Sequence, residues 1–145
     1  MLKEVSIFPL KQIKVKGGDV LHAYKRDDIG LRKFGECYIS FIKYGHIKGW
    51  KKHLKNSLNI VVPLGKIKFV IFDDSNKSKN KNPFKEFILC RENYCRLFIP
   101  PKLWVAFQGL DKKNSYLLNM IENLHDPNES INQKIENISY NWEFK

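Results

Sequence analysis

Residues Lys48 to His53, KGWKKH, gather three lysines, an imidazole and an indole into six positions. In an extended chain the side chains alternate between faces, so Lys51 and His53 fall together and Trp50 and Lys52 fall opposite. An ammonium and an imidazole directed into the concave face of a sheet would make a site for an anionic or carbonyl-bearing ligand. The plainer alternative leaves Lys51 and Lys52 as solvated strand residues and His53 as a satisfied wall residue. Two polar amides interrupt later apolar runs, Gln108 in LWVAFQGL and Asn119 in LLNMI. A buried amide needs a hydrogen-bond partner, which makes both of them binding candidates. Trp104 and Phe107, on the same run as Gln108, serve either as core or as a ligand platform.

These residues have to be positioned by strands. The stretch Gly45 to Asp74 reads as two or three strands joined by tight turns. Asn59 to Val62 is rich in β-branched residues, Pro63-Leu64-Gly65-Lys66 supplies turn chemistry, and Ile67 to Phe72 resumes the strand as a hairpin. Val5 to Leu10 and Gln12 to Val15 are short β-compatible pieces broken at Pro9 and ended by Gly17-Gly18, and Lys25 to Lys33 reads as a charged loop. Cys37 to Lys43, Phe84 to Cys90, Cys95 to Ile99, Leu103 to Phe107 and Tyr116 to Ile121 are further strand candidates. The polar run Ser75 to Pro83 is expected to be the longest loop. Glu129 to Glu136 is the one short helix predicted. The aromatic tail Ile138 to Trp142 is expected to dock on the body or on a second subunit. Strands at this spacing, with little helical periodicity, predict an all-β antiparallel sandwich or barrel.

The chain of 145 residues makes one domain, with 43% hydrophobic and 13% aromatic residues and no sign of disorder. Its net charge of +11 favours anionic ligands, but lysine is spread along the whole chain instead of on one element. No specific nucleic-acid partner is therefore expected. Cys37, Cys90 and Cys95 form no CxxC pair, so neither a disulfide framework nor a zinc site is indicated and a cytoplasmic location fits. No apolar run is long enough for a membrane span, and the N-terminus is too charged for a signal peptide.

The order of these segments resembles a known family. Gly45-x-Ile47-Lys48-Gly49-Trp50 is similar to the G-x-x-[RK]-G-x signature of the dTDP-4-dehydrorhamnose 3,5-epimerases, which are RmlC-like cupins. The similarity continues through VVPLGKIKFVIFDD, through Ile99-Pro100-Pro101 and LWVAFQGL, and through HDPNES and ISYNW in the tail, covering roughly residues 36 to 142. It implies a single RmlC-like cupin domain, a jelly roll or double-stranded antiparallel β-helix. It also implies a homodimer sharing strands across its interface, with no metal and no organic cofactor. In the family a histidine follows the signature and removes the proton beside the C4 ketone, an aspartate orients it, and a tyrosine late in the sheet is the opposing acid. At the corresponding positions this chain carries Lys51 and Asn119, and Val105 replaces a further family histidine. Neither Asp126 nor Glu136 matches the context of the orienting aspartate. A metal-binding cupin is excluded as well, since His53 alone remains of its three or four ligands.

Inversion beside a ketone needs a base on one face of the sugar and a proton donor on the other. A lysine acts as base where desolvation and neighbouring cations favour the neutral amine, and Lys48, Lys51, Lys52 and His53 form such a cluster. Tyr38, Tyr44 and Tyr116 are candidate donors. The resemblance thus implies a cytoplasmic epimerase or isomerase acting on a dTDP- or other nucleotide-linked 4-keto-deoxysugar in surface-carbohydrate biosynthesis. The alternative is a non-catalytic cupin that binds a carbohydrate or nucleotide sugar. Lys51 and His53 are the catalytic candidates. Trp104, Gln108 and Asn119 line the substrate pocket, Lys48 meets the phosphates at its rim, and His125 approaches from the tail because Pro127 favours extended chain there. Binding to mixed duplex or single-stranded DNA is expected to be weak and to vanish at physiological salt. Fluorescence anisotropy across a salt series checks this, and tight, salt-resistant binding would contradict it.

Overall fold

The computed structural model describes residues 3–75 and 82–143. Its strands are β1 (Ser6–Pro9), β2 (Gln12–Ile13), β3 (Val20–Leu21), β4 (Glu36–Ile42), β5 (Ile47–His53), β6 (Leu58–Leu64), β7 (Lys66–Phe72), β8 (Phe84–Cys90), β9 (Cys95–Ile99), β10 (Trp104–Gly109), β11 (Ser115–Ile121) and β12 (Ser130–Asn132). They form two five-stranded antiparallel sheets, ordered β1-β9-β6-β11-β4 and β12-β5-β10-β7-β8, with β2 and β3 as a separate pair. This is the expected jelly roll. Of the polar run read as the longest loop, residues 76–81 lie outside the described residues. No helix among the described residues is long and apolar enough to cross a membrane.

Leu58, Ile60 and Val62 of β6 meet Ile67, Phe69 and Ile71 of β7 between the sheets, together with Ile42, Leu97, Ile99 and Leu117. The strand β6 shows no alternation because both its faces are covered. On its outer side the Tyr24 hydroxyl donates to the Asn59 carbonyl (2.7 Å), and the Asn59 amide donates to the Gly30 carbonyl (3.2 Å).

Two expectations are corrected. The central pair β6 and β7 is not a hairpin, for β6 hydrogen-bonds to β9 and β11 and β7 to β10 and β8, in the other sheet. The corner turns at Gly65, whose φ is +85° and where an added Cβ would stand 2.2 Å from the Ser115 hydroxyl. That hydroxyl accepts from the Lys66 N–H (3.0 Å) and donates to the Lys66 carbonyl (3.1 Å), fixing the crossing. The stretch Glu129 to Glu136 is likewise not a helix. It is β12 between two single 3-10 turns, Pro127–Glu129 and Ile135–Asn137. So short a helix is marginal alone, whereas an extended Ser130–Asn132 pairs with the edge of β5.

Beyond β12 the tail runs over the outer face of the second sheet. Trp50, Val70, Trp104 and Ala106 form a buried layer there, covered by Ile135, Ile138, Tyr140 and Trp142. The tail therefore docks on the body of its own chain. Trp50 is fully buried, its indole N–H donates to the Ile135 carbonyl (3.2 Å), and its ring lies 5.7 Å from that of Trp142. Replacing Trp50 by alanine should cost about 3–5 kcal/mol, as large aromatic deletions do. Urea denaturation measures this, and a loss below about 1 kcal/mol would mean that the tail does not seal the layer.

Candidate active site

Strand β5 has two chemically different faces. Outward, Trp50 lies in the aromatic layer and Lys52 is held by Asp74, with 2.8 Å from Nζ to Oδ2. Asp74 also accepts from the Trp104 indole N–H (2.9 Å). Inward, Lys51 and His53 line a cavity of about 630 Å³ between the two sheets. The alternation read from the sequence thus holds for these four residues. Simple parity would place Lys48 outward, but a bulge intervenes. Val105 stands opposite Lys51 and Phe107 opposite Lys48, so two residues of β5 face one of β10, and Lys48 also turns inward. Gly49 makes the bulge possible, because a Cβ there would meet the Ala106 Cβ at 2.6 Å. The Lys48 ammonium donates to the Phe41 carbonyl on β4 (2.9 Å), bridging from one sheet to the other.

Asn119 and His125 line the same cavity, and Val105, Phe107, Phe69 and Leu117 supply apolar wall. The Asn119 side-chain oxygen accepts from the Asn59 N–H (3.1 Å), so this amide partly serves the sheet itself. Two of the expected site residues are not brought to the cavity. Trp104 and Gln108 have the opposite parity on β10 to Val105 and Phe107 and face the tail. Trp104 belongs to the aromatic layer, and the Gln108 amide donates to the Trp142 carbonyl (3.2 Å). The partner that a buried glutamine requires is therefore the docked tail, leaving its Oε1 without a hydrogen bond among the described residues.

The decisive feature was not among the sequence candidates. Glu129, 8% exposed, places Oε2 2.6 Å from His53 Nδ1. Its Oε1 accepts from the backbone N–H groups of Asn56 (2.7 Å) and Lys55 (2.9 Å). Burial pushes the Glu129 carboxyl upward, but the Asn56 N–H, the His53 ring and the Lys55 N–H outweigh it and hold the group below the ordinary glutamate value. An ionised carboxylate only accepts hydrogen bonds, so Nδ1 carries a proton, and in the neutral tautomer that this selects, the lone pair lies on Nε2. The Asn56 side chain is pinned in turn by the Asn123 amide (2.7 Å). A base oriented by a carboxylate, beside two lysines in a partly apolar cavity, is equipped for proton abstraction. The available signal was the Asp126-Pro127 start of a 3-10 turn, with the Asp126 side chain accepting from the Asn128 N–H, since that turn delivers Glu129 inward. Among the described residues no three His, Cys, Asp or Glu side chains gather into a metal-ligating group.

No protein-family model matches the chain. Over 99 residues it is 27% identical to the probable low-salt glycan biosynthesis epimerase Agl13 of Haloferax volcanii. That match takes in 68% of this chain and 64% of Agl13, just under two thirds of the relative's length. Its fold superposes on a dTDP sugar isomerase from Desulfovibrio desulfuricans with a TM-score of 0.89 and 29% identity, covering 97% of this chain and 91% of that one. A dTDP-4-dehydrorhamnose 3,5-epimerase from Sulfolobus tokodaii matches at a TM-score of 0.77 and 23% identity, over 94% of this chain and 80% of that one. The resemblance read from the order of the motifs therefore holds at the level of the fold, and the chain has the RmlC-like cupin jelly roll that these dTDP-sugar enzymes share.

Proposed function

We propose that the protein epimerises or isomerises a dTDP- or other nucleotide-linked 4-keto-deoxysugar, without metal or organic cofactor, in surface-carbohydrate biosynthesis. The observation that carries this reading is the His53–Glu129 pair on the wall of the interior cavity. His53 Nε2 removes the proton from the carbon beside the ketone, and Glu129 holds the ring and stabilises the imidazolium that results. Charge then develops on the ketone oxygen, where the Lys51 ammonium opposes it. Lys48 meets the diphosphate, while Asn119 and His125 contact the sugar. Catalytic work thus divides between His53 as base and Lys51 as electrostatic partner. The names of Agl13 and of the Desulfovibrio isomerase support the substrate class and the chemistry.

A cytoplasmic homodimer goes with this reading. All three cysteines are free. On β4, at the edge of its sheet, Ile39 is 70% and Phe41 53% exposed, an apolar edge suited to a second copy. Sedimentation is expected to give twice the chain mass, and Ile39→Lys to lower it to one; a monomeric parent protein contradicts the dimer.

Solvent deuterium incorporation into a panel of 4-keto nucleotide sugars tests the activity. His53→Asn should reduce exchange by about 10²–10⁴-fold with little change in KM, the signature of a group acting in the transition state. Wild-type protein that exchanges nothing yet is stabilised by dTDP would be a binding protein instead. Glu129 adds a readout independent of turnover. Its carboxyl is lowered in the folded state, so its stabilisation is present above the ordinary carboxylate range and lost as pH falls through the lowered value. Melting temperature should therefore fall on acidification below about pH 4.3, and less steeply in Glu129→Gln. Equal slopes would remove the ionised pair from the mechanism.

A further inference from the structure

An inverting enzyme of this kind needs a proton donor facing its base, and Asn119 cannot give up a proton at the position where the resemblance implies a tyrosine. In the β4–β11 ladder Asn119 stands directly opposite Tyr38, and directly paired residues in an antiparallel sheet project to the same face. Both line the interior cavity, on the sheet across from His53. Tyr38 is the one tyrosine that does so among the described residues. Tyr116 has the opposite parity on β11 and packs its ring 5.8 Å from Phe41. The Tyr24, Tyr94 and Tyr140 hydroxyls are committed elsewhere, to the carbonyls of Asn59 and Leu118, to the His22 carbonyl and to Glu86. Tyr44 lies beyond the end of β4 and outside the cavity lining.

We propose that Tyr38 is the proton donor working opposite His53, with Glu36 as its positioning residue. The inference rests on the epimerase reading above. Glu36 lies two residues before Tyr38, with the same parity, and accepts the phenol's hydrogen bond at Oε2. The backbone N–H of His125, on the tail side of the cavity, adds to the Tyr38 hydroxyl in holding the Glu36 carboxyl below the ordinary glutamate value. Two consequences follow. The ring is held in one orientation at the cavity wall, and a neighbouring carboxylate disfavours phenolate, so the hydrogen bond to Glu36 keeps the phenol protonated and its pKa above the ordinary tyrosine value. In the reaction His53 Nε2 takes the C–H proton, and the bonding electrons pass into the enolate. Tyr38 then delivers its O–H proton to the opposite face of the same carbon. The phenolate regains a proton from solvent and the imidazolium loses one, so the net change is inversion alone.

The test separates exchange from inversion. Removing the donor should leave His53 able to withdraw and return a proton on its own face. Tyr38→Phe is therefore expected to keep deuterium exchange within a few-fold of wild type while inversion falls about 10²-fold or more. His53→Asn should lose both. Inversion at the wild-type rate in Tyr38→Phe overturns the proposal, as does an equal loss of exchange and inversion, which would make Tyr38 a structural or binding group. Wild-type protein that exchanges nothing on the panel overturns the epimerase reading and this proposal with it. Wild-type exchange beside an unaffected Tyr38→Phe overturns the donor alone. Glu36→Gln supplies the second readout: the alkaline limb of the inversion rate should move to lower pH, toward the ordinary tyrosine value near 10. An unmoved limb in that variant counts against the positioning role.

Discussion

Glu129 is a charged group taken almost wholly out of water, and the neighbourhood that makes this tolerable also makes the site. A buried carboxylate is costly unless its oxygens are met by donors. Here one oxygen receives two consecutive backbone N–H groups, which fixes the conformation of residues 55 and 56, and the other receives an imidazole. The Glu129 carbonyl in turn accepts from the Leu54 N–H (2.8 Å), so the tail is tied to the end of β5 through main chain as well as side chain. Removing the carboxylate would therefore strand several donors at once and free the ring that it orients.

The same tail secures β5 from the other side. After β12 it exchanges a pair of backbone hydrogen bonds between Gln133 and Trp50 and then lays its aromatic residues over the outer face. A strand clamped on its outer face presents the inward side chains of Lys51 and His53 with little freedom. Placing reactive groups on packed strands instead of loops is a general route to the precision proton transfer needs. The tail is thus both the cover of the outer layer and the source of the carboxylate that holds the His53 ring.

How much of this was legible in the sequence follows from the range of each interaction. The faces of Trp50, Lys51, Lys52 and His53 follow from a period of two and needed nothing distant. The antiparallel all-β class followed from strand spacing, and the jelly roll was what the resemblance in segment order implied. Three features were hidden for separate reasons. Turn residues at Gly65 mark a reversal but do not say whether the next strand pairs with the last or crosses to another sheet, a choice settled by Ser115 fifty residues away. Lys48 moved to the inner face because a bulge opposite Ala106 shifts the register, and only the partner strand reveals it. Gln108 was correctly read as an amide in need of a partner, but a residue list cannot say whether ligand or tail supplies it.

The hardest residue to read was Glu129, and its discovery changes what the lysine at position 51 means. While no carboxylate could be assigned to either candidate base, Lys51 and His53 stood level. Both line the cavity, and among the described residues it is His53 that carries a carboxylate partner, Glu129 Oε2 at 2.6 Å from Nδ1. An ammonium repels a proton as readily as it attracts an oxyanion. Under the proposed function Lys51, standing where the resemblance implies a histidine, stabilises charge and leaves proton abstraction to His53. The cost is one of specificity, since a point charge stabilises any enolate or phosphate oxygen within reach and discriminates poorly among them. Under the same proposal, discrimination falls to the wall across the cavity, where Tyr38 and Asn119 stand side by side on neighbouring strands.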